Sequence, residues 1–271
     1  MREYETLKIN FEKRIGIISF NRPQVLNAIN NKMIDEVTEV ITKFNQDPKI
    51  ACIIIKGEGR CFSAGFDMKE AAERSIKGKK EWRKVLTKDF EFIMQFWHSR
   101  KPTISAVHGY CLAGAFELML ACDITIASKE TLFGEPEVRF GSGIITMLAP
   151  WISGPKHAKE MLLTGNDKFN SEYCLRIGAV NHVVNREELM CKAIEIGAQI
   201  SQASDQSIEL TKKAINKSYE LANMNQALNE ALEIDLQIES EESPERLTFN
   251  QIRKEKGLKE ALAWRNSNFE N

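Results

Sequence analysis

The 271-residue sequence has no C-x-x-C pair, no H-x-x-x-H or H-E-x-x-H spacing and no G-x-S-x-G element. These absences remove the usual frames for a thiol redox pair, a helix-borne metal site and a serine nucleophile on a strand-to-helix elbow. No metal is therefore expected. The six cysteines (Cys52, Cys61, Cys111, Cys122, Cys174 and Cys191) lie mostly in apolar or small-residue runs. They read as reduced packing residues of a cytosol-like compartment rather than as disulfides. Charge of one sign is also missing: 37 Lys and Arg face 38 Asp and Glu, a formal net charge of -1. That balance gives no bulk attraction to nucleic acid or to an anionic membrane, so any charged ligand must be met by local clustering. The longest apolar window, Pro102 to Cys122, is broken by Pro102, His108 and Glu117 and makes a poor membrane span. The opening "MREYETLKIN" lacks the apolar stretch of a secretory signal, and its acids argue against a transit peptide. The expectation is a cytoplasmic protein.

What is present is an alternation of strand-like and helix-like segments. "RIGIISF" is rich in β-branched residues, and the following segment places Met33, Val37, Ile41 and Phe44 at helical spacing. "ACIIIKG" then has the look of a strand buried on both faces. The theme returns with "TISAVHG", a helix from about Ala113 to Cys122, and "DITIAS". Strand, helix, strand implies parallel crossovers and an α/β core. From about Asn185 the pattern turns helical, and Ser243 with Pro244 marks a helix start, serine as N-cap and proline at the first helical position. We divide the chain into a core over 1–202 and a helical region over 203–271 that serves as lid or assembly surface on one folded unit.

One residue breaks the core pattern. In "GYCLAGAFELML", Glu117 is the only Asp, Glu, Lys or Arg between Lys101 and Asp123. It follows Gly114 by three positions, and helical side chains lean back over the preceding turn. Its carboxylate is thus placed near the backbone of Ala113, Gly114 and Ala115 at the helix start. "FSAGFDMKE" is a second strand-to-helix junction of small residues, with a helix starting near Asp67. In a parallel sheet such junctions share the carboxyl ends of the strands, where ligands of α/β proteins bind. Two free amides converging there would stabilise an enolate or a tetrahedral oxyanion. From the pattern alone, Glu117 is equally a structural acid satisfied by a buried partner, since an unpaired buried charge is costly.

Glu135 and Glu137 flank Pro136 in "LFGEPEV". Two acids in a loop read by default as solvated; one of them opposed to Glu117 would instead make a pair able to deliver and remove protons. The basic run Lys77 to Lys88 reads as a solvated helix face or as a phosphate contact. The "GEGRCF" stretch lacks the third glycine of a dinucleotide fingerprint, because Phe62 stands there.

With these motifs in order, the chain resembles the crotonase (enoyl-CoA hydratase/isomerase) superfamily. The resemblance runs from "NRPQVLNAIN" through "FSAGFDMKE", "GYCLAGAFELMLACDITIAS", "FGEPEVRFG", "LLTG" and "RIGAVNHVV" to a C-terminal helix and Phe269. It implies a spiral of ββα units with a C-terminal helical layer, assembled as a trimer or a dimer of trimers, acting on an acyl-CoA or enoyl-CoA thioester. By motif position the thioester oxygen is held by the amides of Phe66 and Gly114, and Glu117 and Glu137 are the catalytic acids of hydration. Ala64, Asp67, Met68, Lys69 and Ser142 are the expected substrate-binding residues, with Lys69, Lys77, Lys79 and Lys80 candidates for the CoA phosphates. No separate cofactor is expected, CoA being part of the substrate. An isomerase, hydrolase, decarboxylase or C–C lyase on the same scaffold is the alternative, and a non-catalytic acyl-CoA-binding or RNA-binding scaffold the remaining one. Three departures bear on the substrate: Phe66 stands where alanine is common, Ala113 and Ala115 replace glycines, and "SGIITMLAPW" replaces a proline- and glycine-rich segment.

Overall fold

The computed structural model describes residues 3–73, 76, 78–241 and 243–268. Lys77 and Phe269, both singled out above, lie outside them. The N-terminal half supplies β1 (Leu7–Glu12), β2 (Ile15–Phe20), α1 (Asn31–Gln46), β3 (Cys52–Gly57), α2 (Met68–Glu73) and α3 (Gly78–His98). Next come β4 (Thr103–Val107), β5 (Tyr110–Leu112), α4 (Gly114–Ala121), β6 (Ile124–Ser128) and β7 (Leu132–Gly134). They are followed by α5 (Ala149–Ile152), α6 (Gly154–Thr164), β8 (Phe169–Asn170), α7 (Ser171–Arg176), β9 (His182–Val184) and α8 (Leu189–Gln202). The chain closes with α9 (Asp205–Leu221), α10 (Met224–Ser240), α11 (Pro244–Lys256) and α12 (Leu258–Ser267).

The main sheet runs β1-β2-β3-β4-β6-β9, with β1 antiparallel to β2 and every other pair parallel. Its two faces feed two cores. Ile15, Ile17, Cys52, Ile54, Ile104, Ala106 and Ile126 pack against Leu189, Ala193 and Ile196 of α8. Residues one position along each strand, among them Ile18, Ile53 and Ile55, point into the larger core with α1, α3 and α4. This two-sided burial is why β2 and β3 read as continuous apolar runs rather than alternating ones. Each fully buried Ile or Phe contributes roughly 1.5–3 kcal/mol of burial free energy. α4 is buried along its whole length, and it carries Glu117 into the centre of the molecule.

The connection from β4 to α4 differs from the direct junction expected. Tyr110–Leu112 forms an extra strand that pairs parallel with β7, itself antiparallel to β8, making a second, small sheet. The chain therefore turns twice, strand to strand and then strand to helix, a ββα unit. The helical stretch from α9 onward is tied to the rest at named points. Lys212 reaches Asp123 at 2.7 Å, Arg253 donates to the Met68 carbonyl at 3.2 Å, and Arg265 pairs with Asp167 at 3.0 Å. Ser243 caps α11, accepting from Arg246 N–H at 3.2 Å with Pro244 at the first position.

Candidate active site

The "NRPQVLNAIN" segment builds the first wall of the site. Leu26 and Asn27 take left-handed φ values of 55° and 52°, which folds the segment back on itself. Asn27 Nδ2 donates to the carbonyls of Glu58 and Cys61, both at 2.9 Å. Main-chain bonds then fasten the next loop to it: Ala64 N–H to Leu26 O, Ile29 N–H to Gly65 O and Asp67 N–H to Ile29 O, at 2.8–3.0 Å. Phe66 pairs with Ile29 in an isolated bridge whose bonds are made by its neighbours Gly65 and Asp67. Phe66 N–H is left without a partner among the described residues.

The second wall is the β5–α4 turn. Ala113 adopts φ 57°, ψ -139°, a region that L residues enter only at about 1–3 kcal/mol of strain. Its own N–H is held by Gly134 O at 2.9 Å and its carbonyl by Phe116 and Glu117 N–H. The turn leaves Gly114 N–H, first in α4, also without a partner among the described residues. The two loops touch: a Cβ on Gly65 would lie 3.2 Å from Gly114 N and 2.7 Å from Ala113 Cβ. Two free donors thus stand on adjoining loops, as helix-start amides do when an anion is to be received.

Three carboxyls gather beneath them. Glu117 is 2% and Glu135 1% exposed, and one oxygen each of Glu135 and Glu137 is shut from solvent without a partner among the described residues. Glu135 is thus buried and Glu137 partly so, where a proline-flanked loop was expected to leave both solvated. Glu117 Oε1 accepts from Thr146 N–H at 2.9 Å. Burial, and then the neighbouring Glu137, raise Glu117 well above the ordinary carboxylate range. Burial likewise raises Glu135, with Glu117 and Glu137 adding to it. Glu137 is pushed up to about 8 by burial, further by Asp235 and Glu239, and held back by its own N–H and by Arg265. Like charges at close range cannot all ionise in a water-poor site, so loss of a proton from one of these acids tightens the hold of the others on theirs.

Glu117, Glu137 and the two loops line one cavity of about 1100 Å³, which Glu135 does not reach. Ala64, Phe66, Asp67, Met68, Lys69, Gly114, Glu117, Glu137 and Ser142 all reach it. Some are already engaged: Asp67 pairs with Arg22 at 2.8 Å and accepts from the N–H groups of Lys69 and Glu70. Ser142 Oγ donates to Glu239. Lys79 and Lys80 are exposed at the start of α3 and do not line the cavity. The sequence reading missed the opposite wall, where Trp82 and Asp89 of α3 meet Glu239, Arg246 and Phe249 of α10 and α11. The amphipathic spacing of these helices is the only signal that could have pointed to it.

An α/β spiral whose buried helix brings acids under a pair of unpartnered amides defines the crotonase fold class. The chain belongs to the enoyl-CoA hydratase/isomerase family, whose model matches residues 10–260. It is 36% identical over 225 residues to a probable enoyl-CoA hydratase of Mycobacterium bovis, covering 80% of this chain and 83% of the relative. It is 34% identical over 220 residues to the crotonyl-CoA hydratase of Syntrophomonas wolfei, covering 79% and 82%. A crystal structure of an enoyl-CoA hydratase/isomerase from Xanthobacter autotrophicus superposes with a TM-score of 0.97 at 42% identity, covering 99% of this chain and all of that one.

Proposed function

We propose that the protein is an enoyl-CoA hydratase that adds water across the double bond next to a CoA thioester. The observation that carries this reading is the placement of Glu117 and Glu137 on one cavity with the free N–H groups of Phe66 and Gly114. The thioester oxygen sits between the two amides, which serve as an oxyanion hole. Water lies between the two carboxyls. Glu117, in its ionised form, takes a proton from the water as its oxygen bonds to the β-carbon. Electrons pass to the thioester oxygen, and the amide pair stabilises the resulting enolate. Glu137, holding the proton that its raised pKa retains, delivers it to the α-carbon. Thr146 N–H keeps Glu117 aimed and favours its ionised form.

Arg60, Lys69 and Lys259 on the same cavity suit the phosphates of CoA. Large apolar side chains left outside, such as Leu163 at 74% and Leu221 at 75% exposed, suit burial against further copies of the chain, and assembly as a trimer or a dimer of trimers goes with this reading. No helix among the described residues is long and apolar enough to cross a membrane, and a cytoplasmic location goes with this reading.

The test follows the absorbance of the conjugated thioester on mixing with short, medium and aromatic enoyl-CoAs. Consumption is expected for at least one, with solvent oxygen in the product. Glu117→Gln should lower kcat about a hundredfold to ten-thousandfold. No consumption of any of them at high enzyme concentration overturns hydration; a product without solvent oxygen points to isomerisation.

A further inference from the structure

The cavity wall made by α3, residues 140–145, α10 and α11 carries several charged and polar side chains. Arg246 stacks its guanidinium over the Trp82 ring at 5.0 Å and pairs through Nη2 with Glu239. Its Nη1 is shut from solvent and without a partner among the described residues. Glu239 also accepts from Ser142 Oγ and, at 3.1 Å, from Gly143 N–H. Directly behind Gly143 lies Asp235, 2% exposed, so close that a Cβ on the glycine would be 1.9 Å from Oδ1. Both oxygens of Asp235 are unpartnered as well. Buried polar atoms left in this state cost free energy unless a ligand or water meets them.

This wall borders the same cavity as Glu117 and Glu137. Asp89 and Asp235 both act electrostatically on Glu117, and Asp235 and Glu239 on Glu137. We propose that this wall is a polar acyl subsite, in which Arg246 Nη1 donates a hydrogen bond to a neutral oxygen, a hydroxyl or a carbonyl, carried on the acyl chain of the thioester. The inference rests on the acyl-CoA reading above and adds the class of acyl group.

Charge argues for a neutral oxygen over a carboxylate. Arg246 is already paired with Glu239, and Asp235 stands within electrostatic reach of it. The second arginine on this wall, Arg253, is committed to the Met68 carbonyl and to Asn250 Oδ1. An arriving carboxylate would meet, among the described residues of this wall, only guanidinium groups that are already engaged. Burial, and then Glu239, push Asp235 up to about 8, so near neutral pH it retains a proton. A hydroxyl or carbonyl adds no charge and still satisfies Nη1. A purely aliphatic chain would leave the guanidinium edge dry and unpaired, the arrangement by which a site rejects an analogue lacking the group it was built to bind.

The experiment measures binding of saturated CoA thioesters by calorimetry, which needs no turnover. Four-, six- and eight-carbon chains are each compared unsubstituted and bearing a hydroxyl, a ketone or a terminal carboxylate. At one chain length or more, a hydroxyl or ketone should tighten Kd about tenfold to a hundredfold over the unsubstituted chain, as a charge-assisted hydrogen bond does. Arg246→Met should bring that ratio below about threefold, and Arg246→Lys, which keeps the charge but loses the second nitrogen, should lose most of it. Equal or tighter binding of the unsubstituted chain at every length overturns the proposal, as does tightest binding of the carboxylate. So does a preference that survives in a folded Arg246→Met. Selective binding without hydration of any enoyl-CoA would sink the hydratase reading alone, and binding of no thioester at all would sink both. The wild-type ratio decides even where a variant does not fold.

Discussion

The Phe66 ring fills the space that a side chain on Gly114 would need: a Cβ there would come within 2.4 Å of Phe66 Cε2. The ring is itself backed by Phe92, at 6.3 Å between centroids, and also borders the cavity. The two residues that supply the free amides are thereby fitted to each other through their own bulk. Gly114→Ala should displace one donor and lower kcat/KM about a hundredfold to a thousandfold. Adding Phe66→Ala makes room for the new methyl and should recover at least about tenfold of that loss, a coupling read from a double-mutant cycle. A single Gly114→Ala variant within threefold of wild type would show that this amide does not touch the developing charge.

Ala113 holds the turn that aims Gly114 N–H, in a backbone conformation suited to glycine. Ala113→Gly removes the strain, worth about 1–3 kcal/mol, and adds the flexibility of glycine to the unfolded chain, about 0.4–1 kcal/mol. The net expectation is a gain of roughly 1 kcal/mol in urea unfolding. Ala113→Val should lose stability and activity together, because a branched side chain tolerates positive φ still less. Equal stability of the glycine and alanine forms would mean that the turn is not strained.

Most of the frame was legible because its elements are long and periodic. Met33, Val37, Ile41 and Phe44 are all buried on α1, and "ACIIIKG" is the fully flanked β3. The small sheet was not, since β5, β7 and β8 are two or three residues long and such segments have no period to read. The misfit of Glu117 in an apolar stretch marked it as a candidate, and its distance from Gly114 along a helix put the two on one cavity. Its hydrogen-bond partner was hidden: Thr146 donates through the main chain, which residue type does not reveal. Glu135 looked solvated because a proline-flanked loop has no pattern that signals burial. Arg246 and Asp235 lie far along the chain from Glu117 on helices that also carry water-facing charges, and no local feature separates a buried charge there from an exposed one.

Lys212 shows the same limit in a structural role. It is 9% exposed on α9, yet its ammonium donates to the carbonyls of Phe96 and Lys101 and to Asp123 Oδ2. Asp123 in turn accepts from both N–H and Oγ1 of Thr103. One cation therefore joins α9 to the ends of α3, β4 and α4. Lys212→Met should cost about 3 kcal/mol, because the aspartate stays behind partly buried and unpaired. Unfolding in urea would register the loss, and a change below about 0.5 kcal/mol would reduce the contact to a surface ion pair.

The buried acids make both stability and activity depend on pH, in a direction opposite to that of salt-bridged carboxylates. Glu137 ionises near its ordinary value of 4.5 when unfolded and at about 8 when folded. Below the lower value both states carry the proton and pH has no leverage. Between the two, the folded protein keeps a proton that the unfolded chain has released, so stability falls as pH rises, by up to about 1.4 kcal/mol per pH unit for each such group. Glu117, Glu135 and Asp235 are shifted the same way and steepen the decline. Urea midpoints should therefore drop from about pH 5 to about pH 8, and Glu137→Gln should flatten the slope and be the more stable form at the alkaline end. Activity adds a second reading: the proposed reactive form has Glu117 ionised and Glu137 protonated, so kcat/KM should rise with pH as Glu117 loses its proton and decline above about pH 8, where Glu137 loses its own. Stability that climbs over this range would show the acids to be ionised and paired in the folded protein, and a rate that stays level to about pH 10 would take proton delivery away from Glu137.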